Sequence, residues 1–370
     1  MHVALPRLQN DCQGKRKGSS ASIKCVFQAC GVLLFVLVTQ LSFGRLPANT
    51  NADMRVKTRA APAKSAGFRI CLATLEFQGI ANGGIGTAMA ELANALAKHG
   101  HDVTVAVVCA GAKLPDQKQA RPTGLQIIGV NYRGLQASNE SPYDAISTSW
   151  QKLASFRLYQ WMKHHQSDFQ VVMYHEWSGI GFHIAQAKSH GLHFHDLALV
   201  GALHGPHLWA LHNQRNALTS VIDLEIDFME RRSVERADYV IAPSQYILDY
   251  VRERGWNAPT RNALVLPNPL AMPNANLSPT REMRVQEVVF FGKTSHHKGI
   301  DIFCDAIDIL LGRYKTLAHL HITFLVRFER IDGVEGDEWL RQRGSEWKAA
   351  GAHLKLKAGL NTEECRAYLR

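Results

Sequence analysis

Residues 83–108 read GGIGTAMAELANALAKHGHDVTVAVV. The stretch holds a glycine turn, a helix and a strand in immediate succession. Ahead of it, RICLATL (69–75) is an apolar run of strand length. Gly83, Gly84 and Gly86 therefore stand where a strand gives way to a helix, and bare backbone there leaves N–H groups free to approach an anion or a sugar hydroxyl. From residue 87 to 100 the apolar positions follow a helical period. Ala88, Leu92, Ala95 and Leu96 share a face, Thr87 is placed to cap the helix, and Gly100 to stop it. HDVTVAVV (101–108) is β-branched and almost continuously apolar, as a strand covered on both faces should be.

The same alternation continues outward. Strands are predicted at 125–130, 169–177, 197–205, 238–244 and 262–270. Helices are predicted within 141–165 and over 179–190, 223–237 and 245–254, the last capped by Ser244. Residues 271–284 break the pattern and read as a hinge. The pattern then restarts with EVVFFGK (287–293), a helix over 299–311, HITFLVR (321–327), a helix over 337–350, HLKLKAG (353–359) and a final helix capped by Asn361. Strands alternating with helices imply parallel, doubly wound sheets. The fold class is therefore α/β with two Rossmann-like domains, over 69–270 and 285–370. Ligands in such sheets bind beyond the carboxyl ends of the strands. That rule singles out the glycine loop, His175–Glu176, His204–Gly205, Ser244 and Asn268. Glu176, in HEWSG, is read as facing an acceptor pocket, the alternative being a carboxylate favoured by a helix N-terminus. Trp150, Trp161 and Trp177 are expected in core or interdomain packing, and His296 and His297 in solvent.

Composition narrows the function. The formal charge is +10, but residues 1–68 hold ten Lys and Arg against two Asp, so eight of those charges belong to a tail. The body has no basic stripe with interleaved aromatics, which argues against nucleic-acid binding. Within the tail, CVFQACGVLLFVLVTQLSF (25–43) is uncharged and follows basic residues, the plan of a signal sequence or signal-anchor. Membrane association is expected through it, with a cytoplasmic enzyme as the alternative. Basic residues on both flanks leave the orientation open. Seven cysteines without CxxC spacing exclude a disulfide framework or zinc site, and Cys71 and Cys109 read as buried thiols. No carboxylate cluster suggests a metal. A dinucleotide fingerprint fails, because Met89 stands where its third glycine belongs and AVVCAGAK (106–113) lacks the ribose-binding acid. A nicotinamide-dependent oxidoreductase is thus the less favoured reading.

The segments GGIGTAMAELANALAKHGHDVTVAVV (83–108), LHGPH (203–207), SVERADYVIAPSQY (233–246), VLPNP (265–269) and FFGKTSHHKGIDIF (290–303) occur in that order. Together they resemble the glycosyltransferases of family 4, retaining enzymes of GT-B architecture, over about residues 69–370. The resemblance implies transfer of a sugar from a nucleotide-diphosphate sugar to an acceptor (a glycan, lipid or small molecule) without a metal or other cofactor. It implies that Gly83, Gly84 and Gly86 lie against the donor diphosphate and the acceptor. It gives Lys293 and Lys298 to the donor phosphates and His204 to the transferring sugar. Lys293 occupies a position that is often Arg. The family also carries two glutamates, eight apart, late in the second domain. No such segment occurs before Arg370, so the second domain is expected to be incomplete, and the alternative function is an inactive GT-B fragment acting as a binding module.

Overall fold

The computed structural model describes residues 67–78, 83–109, 122–131, 149–259, 261–269, 286–314, 319–360 and 362–369. The apolar run 25–43, the hinge 271–284 and the expected cap Asn361 lie outside them. Among the described residues no helix is long and apolar enough to cross a membrane.

The first domain is a parallel sheet of seven strands in the order β3-β2-β1-β4-β5-β6-β7. These are β1 (Arg69–Thr74), β2 (Asp102–Cys109), β3 (Leu125–Asn131), β4 (Val171–His175), β5 (Ala198–Ala202), β6 (Tyr239–Ala242) and β7 (Ala263–Val265). The order reverses at β1, so the crevice opens between the ends of β1 and β4. Alternate residues of β1 serve the two faces. Ile70 and Leu72 pack with Met89, Ala93 and Leu96 of α1 (Gly84–Lys98). Cys71 and Ala73 join Leu158 of α2 (Trp150–His165) and Ile184 of α3 (Phe182–Ser189). Cys71 is fully buried, as expected, and burial pushes its thiol far above the ordinary range.

The predicted strands all form, two or three residues shorter at several ends, and the one expected over 262–270 is reduced to Ala263–Val265. One helix was not foreseen: α4 (His207–Asn213), directly after the LHGPH loop. The next, α5, begins at Val221 rather than Asp223 and runs to Glu235, with Ser220 and Asp223 forming a capping box. Thr87 does not cap α1. The helix starts three residues earlier, with Gly83 at its N-cap, and the Thr87 hydroxyl donates to Gly83 O at 3.3 Å. Ser244 precedes α6 (Gln245–Glu253) without a capping hydrogen bond from its side chain. Trp150 is 45% exposed, contrary to expectation, because it lies on the outward side of the first turn of α2, whose inward side carries the buried Gln151. Trp161 does reach the core.

The second domain holds β8 (Glu287–Lys293), α7 (Ile300–Arg313), β9 (His321–Arg327), α8 (Gly336–Ala349), β10 (His353–Ala358) and α9 (Thr362–Tyr368). Its parallel sheet has the order β10-β9-β8. Phe290, Phe324, Leu340 and Trp347 form its core with Ile300 and Cys304. Two parallel α/β sheets in series are what the alternation of elements implied.

Candidate functional site

Four strand ends converge at the crevice. Past β1, Thr74 is fully buried, and its hydroxyl accepts from Glu76 N at 3.2 Å while donating to Glu76 O at 2.6 Å. This tight turn aims the Glu76 side chain at the start of α1. Its Oε2 accepts from Gly83 N at 3.0 Å and Gly86 N at 3.4 Å. The chain's own carboxylate therefore occupies two amides at this helix N-terminus, where unpaired N–H groups and the helix dipole favour an anion. A Cβ at Gly83 would displace that carboxylate, so glycine here lets Glu76 reach both amides. Leu75 N donates to His175 Nε2 at 3.0 Å, which ties the end of β1 to the end of β4.

Past β4, Glu176 is completely buried. Among the described residues no cation pairs with it. Its Oε1 accepts from His204 N at 2.7 Å and Gly205 N at 2.6 Å, and its Oε2 from His204 N at 2.9 Å. Burial pushes its carboxyl up to about 7, against the amides of His204, Gly205, Glu176 and Trp177, which pull the other way. The reading of Glu176 as a group open to an acceptor pocket is not what its surroundings show, since its oxygens are spent on backbone amides. The chain then turns through Ser178 (φ 61°) and Gly179 (φ 63°), both left-handed. Ser178 pays for a conformation that costs about 1 kcal/mol or more. A second buried carboxylate, Glu230 of α5, holds that turn: its Oε1 accepts from Ser178 N and its Oε2 from His207 N, both at 2.8 Å. Burial and the charge of Glu176 raise the Glu230 carboxyl well above its ordinary range.

These two glutamates clamp the LHGPH loop from below. His204 emerges from it half-buried, and desolvation depresses its imidazole to about 4. His175 is pushed lower, to about 3, by burial and then by His204. Both rings are thus neutral at pH 7. His207 Nε2 lies 2.8 Å from Asp223 Oδ1. Gly205 (φ +140°) must be glycine, because a Cβ there would stand 2.8 Å from the Trp209 ring. Trp177 meets His207 edge to face.

The second domain contributes the turn after β8. Lys293 Nζ pairs with Glu329 at 2.7 Å, and Lys298 is exposed. Thr294 is fully buried and its hydroxyl donates to Glu329 O at 2.9 Å, which fixes the turn. His297 reaches the first domain: its ring lies edge-on to Trp209 with centroids 6.4 Å apart, and its Nδ1 is 3.4 Å from Gln214 Nε2. Arg215 of the first domain pairs with Asp301 of α7 at 2.8 Å. His296 is not a solvated loop residue. Its side chain is 8% exposed and bridges Asp301 at 3.0 Å and Asp332 at 2.9 Å. Among the described residues no group of His, Cys, Asp and Glu is arranged to hold a metal ion.

The crevice rule thus brought Glu176, His204 and Gly205 together, and through Trp209 and His297 it links them to the Lys293–Lys298 turn. Ser244 and Asn268 enter none of these contacts. Sequence reading missed Glu76 and Glu230. Glu76 had a signal, being a carboxylate just beyond a strand end and seven residues before Gly83. Glu230 lies in a helix whose many charges suggest a solvated face.

A model of the glycosyl transferase 4-like domain matches residues 83–269, just over half of the chain. No curated protein sequence matches. Among solved structures, an alpha-glucosyltransferase in complex with UDP and a 13-mer DNA is 16% identical, with a TM-score of 0.45, covering 80% of this chain and 69% of its own. An alpha,alpha-trehalose-phosphate synthase (UDP-forming) from Burkholderia vietnamiensis is 10% identical, with a TM-score of 0.44, covering 82% of this chain and 75% of its own.

Glu176 sets a pH-dependent test. Its folded pKa of about 7 lies above the ordinary carboxyl value of 4.5, so the stabilisation linked to its protonation is full below about 4.5 and lost as pH rises through about 7. Glu176→Gln leaves one backbone amide facing a donor and should destabilise the fold by about 1–3 kcal/mol. It also removes this slope, so the penalty should be larger at pH 5 than at pH 8 in urea titrations. Equal penalties at both pH values would contradict the shifted pKa.

Proposed function

The chain belongs to the glycosyl transferase 4-like family, and from that premise we propose that it moves a sugar, with retention, from a nucleoside-diphosphate sugar to a hydroxyl acceptor. The observation that carries this reading is the contact of His297, the neighbour of Lys298, with Trp209, whose ring lies on Gly205 beside His204. That contact supports a site in which the lysine-bearing turn and the histidine loop work on one substrate.

In this proposal the bond from sugar C1 to the diphosphate oxygen breaks. The acceptor oxygen bonds C1 on the same face, and its proton passes to the leaving phosphate. Negative charge grows on the diphosphate. Lys293, Lys298 and the N-terminus of α7 oppose it. His204, neutral because desolvation holds it near 4, hydrogen-bonds the sugar without adding a positive charge beside C1. Glu176 acts as a positioning residue that fixes the amides of His204 and Gly205. The glycine loop, Gly83 to Gly86, which the resemblance gave to the donor diphosphate as well as the acceptor, is assigned here to the acceptor, because Glu76 fills the anion position at α1. A second reading is a module that holds nucleotide without transferring sugar. In either reading a phosphate must displace Glu329 from Lys293.

UDP and UDP-glucose serve as probes. Lys293→Ala and Lys298→Ala should each weaken UDP binding by about 1.5–3 kcal/mol in calorimetry, the worth of a charge-assisted hydrogen bond. UDP-glucose hydrolysis should persist in EDTA. Unchanged affinity in both variants would remove the lysines from the site, loss of turnover on chelation would reveal a metal requirement, and binding without turnover would select the second reading.

We also propose that residues 25–43 attach the chain to a membrane, on the strength of their length and lack of charge. A tagged full-length chain should then pellet with membranes. Full recovery in the soluble fraction, with its N-terminus intact, would contradict this.

A further inference from the structure

Trp209 and His297 form a contact that neither the expected phosphate site nor the histidine loop requires. Trp209 is on α4, the short helix absent from the sequence-based expectation. Its six-membered ring lies against Gly205, close enough that a Cβ at that residue would stand 2.8 Å from Cε3 and 3.0 Å from Cζ3. Its Nε1 donates to Tyr246 Oη of α6 at 3.2 Å, which fixes the ring plane. Its remaining edge meets His297, the rings inclined at 68°. His297 is in turn held by Gln214 at the C-terminal end of α4, 3.4 Å from its Nδ1. The positive charges of Lys298 and Lys293 act on His297, lowering its pKa after desolvation has done so, which brings all three into one electrostatic neighbourhood.

The consequence is geometric. On the first-domain side Gly205 has no side chain and its amide is bonded to Glu176, so it follows the Trp209 ring closely. On the second-domain side His297 sits between Thr294, buried and bonded to Glu329, and Gly299 (φ 72°), where α7 begins. Packed rings between two fixed backbones transmit displacement, because close-packed groups do not compress. Arg215 reinforces the tie: it adopts a left-handed backbone (φ 58°), rare for a side chain of this kind, and reaches Asp301 on α7 at 2.8 Å.

We propose that Trp209 is a positioning residue that couples the lysine-bearing turn of the second domain to the His204–Gly205 loop of the first, through His297. This role deepens the proposed transferase function and rests on it. Occupation of the lysine turn by a nucleoside diphosphate sets His297, His297 sets the indole, and the indole sets Gly205 and with it His204. Trp209 touches neither substrate.

The test reads the His204 ring directly in the full chain labelled with 13C-histidine, its signal assigned with His204→Asn. His297→Ala should shift the His204 signal in the wild-type background, and that shift should be lost in Trp209→Ala. Trp209→Phe, which keeps an aromatic plane on Gly205 but not the bond to Tyr246, provides a milder background in which the shift should shrink. No His204 shift on His297→Ala, or the same shift in the Trp209→Ala background, would overturn the coupling. In the reaction, His297→Ala should lower the rate constant of UDP-glucose hydrolysis by about tenfold or more, as misplacement of a reacting group does. UDP affinity should fall by clearly less than the rate constant does, because His297 borders the lysine turn without ligating the phosphates. A parallel loss of both would make His297 a nucleotide ligand and overturn the positioning role. Absence of UDP binding and hydrolysis in the wild type would sink the transferase reading alone, because the ligand-free His204 shift decides the coupling by itself.

Discussion

A buried carboxylate, with no cation beside it among the described residues, organises this crevice. Glu176 is fully enclosed, and among the described residues it is compensated by backbone amides, chiefly those of His204 and Gly205. An unpaired buried charge is among the costliest features a fold can carry, unless hydrogen bonds satisfy it. The loop after β5 is therefore held within narrow limits: a large movement of His204 would strip the carboxylate of its donors, so only small adjustments pass through it. Glu230 repeats the arrangement one layer away, on Ser178 and His207. The two carboxylates disfavour each other's charge, and both are pushed towards the neutral form. Such groups reward a fixed geometry rather than stability, which is the pattern expected beneath a site.

The electrostatic character differs across the crevice. The described ends of β1, β4 and β5 bring carboxylates and neutral histidines, with His175 and His204 kept uncharged by desolvation. The second domain brings Lys293 and Lys298 at the entrance to α7. Glu76 sharpens the contrast, because it supplies the anion that the N-terminus of α1 would otherwise attract. A leaving diphosphate is thus better matched to the second domain. The glycine turn, with its carboxylate already seated, is better matched to hydroxyl groups.

Much of this architecture was legible in the chain. β-branched runs such as DVTVAVV and HITFLVR form strands because both faces are covered, and the helix after Gly83 shows its period plainly. The crevice residues Glu176 and His204 followed from strand ends alone. The short helix His207–Asn213 did not, since seven residues carry no period and Pro206 reads as a breaker. Glu230 was hidden by its neighbours, for the sequence IDLEIDFMERR does not reveal which acid turns inward. That is decided when α5 packs against the left-handed turn at Ser178 and Gly179. His296 was misjudged for the same reason: its aspartate partners at 301 and 332 meet only in three dimensions.

The claim that the lysine turn, and not the glycine turn, receives the donor diphosphate is tested most directly by a crystal structure of the full chain with UDP. The account expects the diphosphate against Lys293, Lys298 and the first turn of α7, with Glu76 still bonded to Gly83 and Gly86. A diphosphate seated at the N-terminus of α1, with the Glu76 carboxylate displaced, would contradict it.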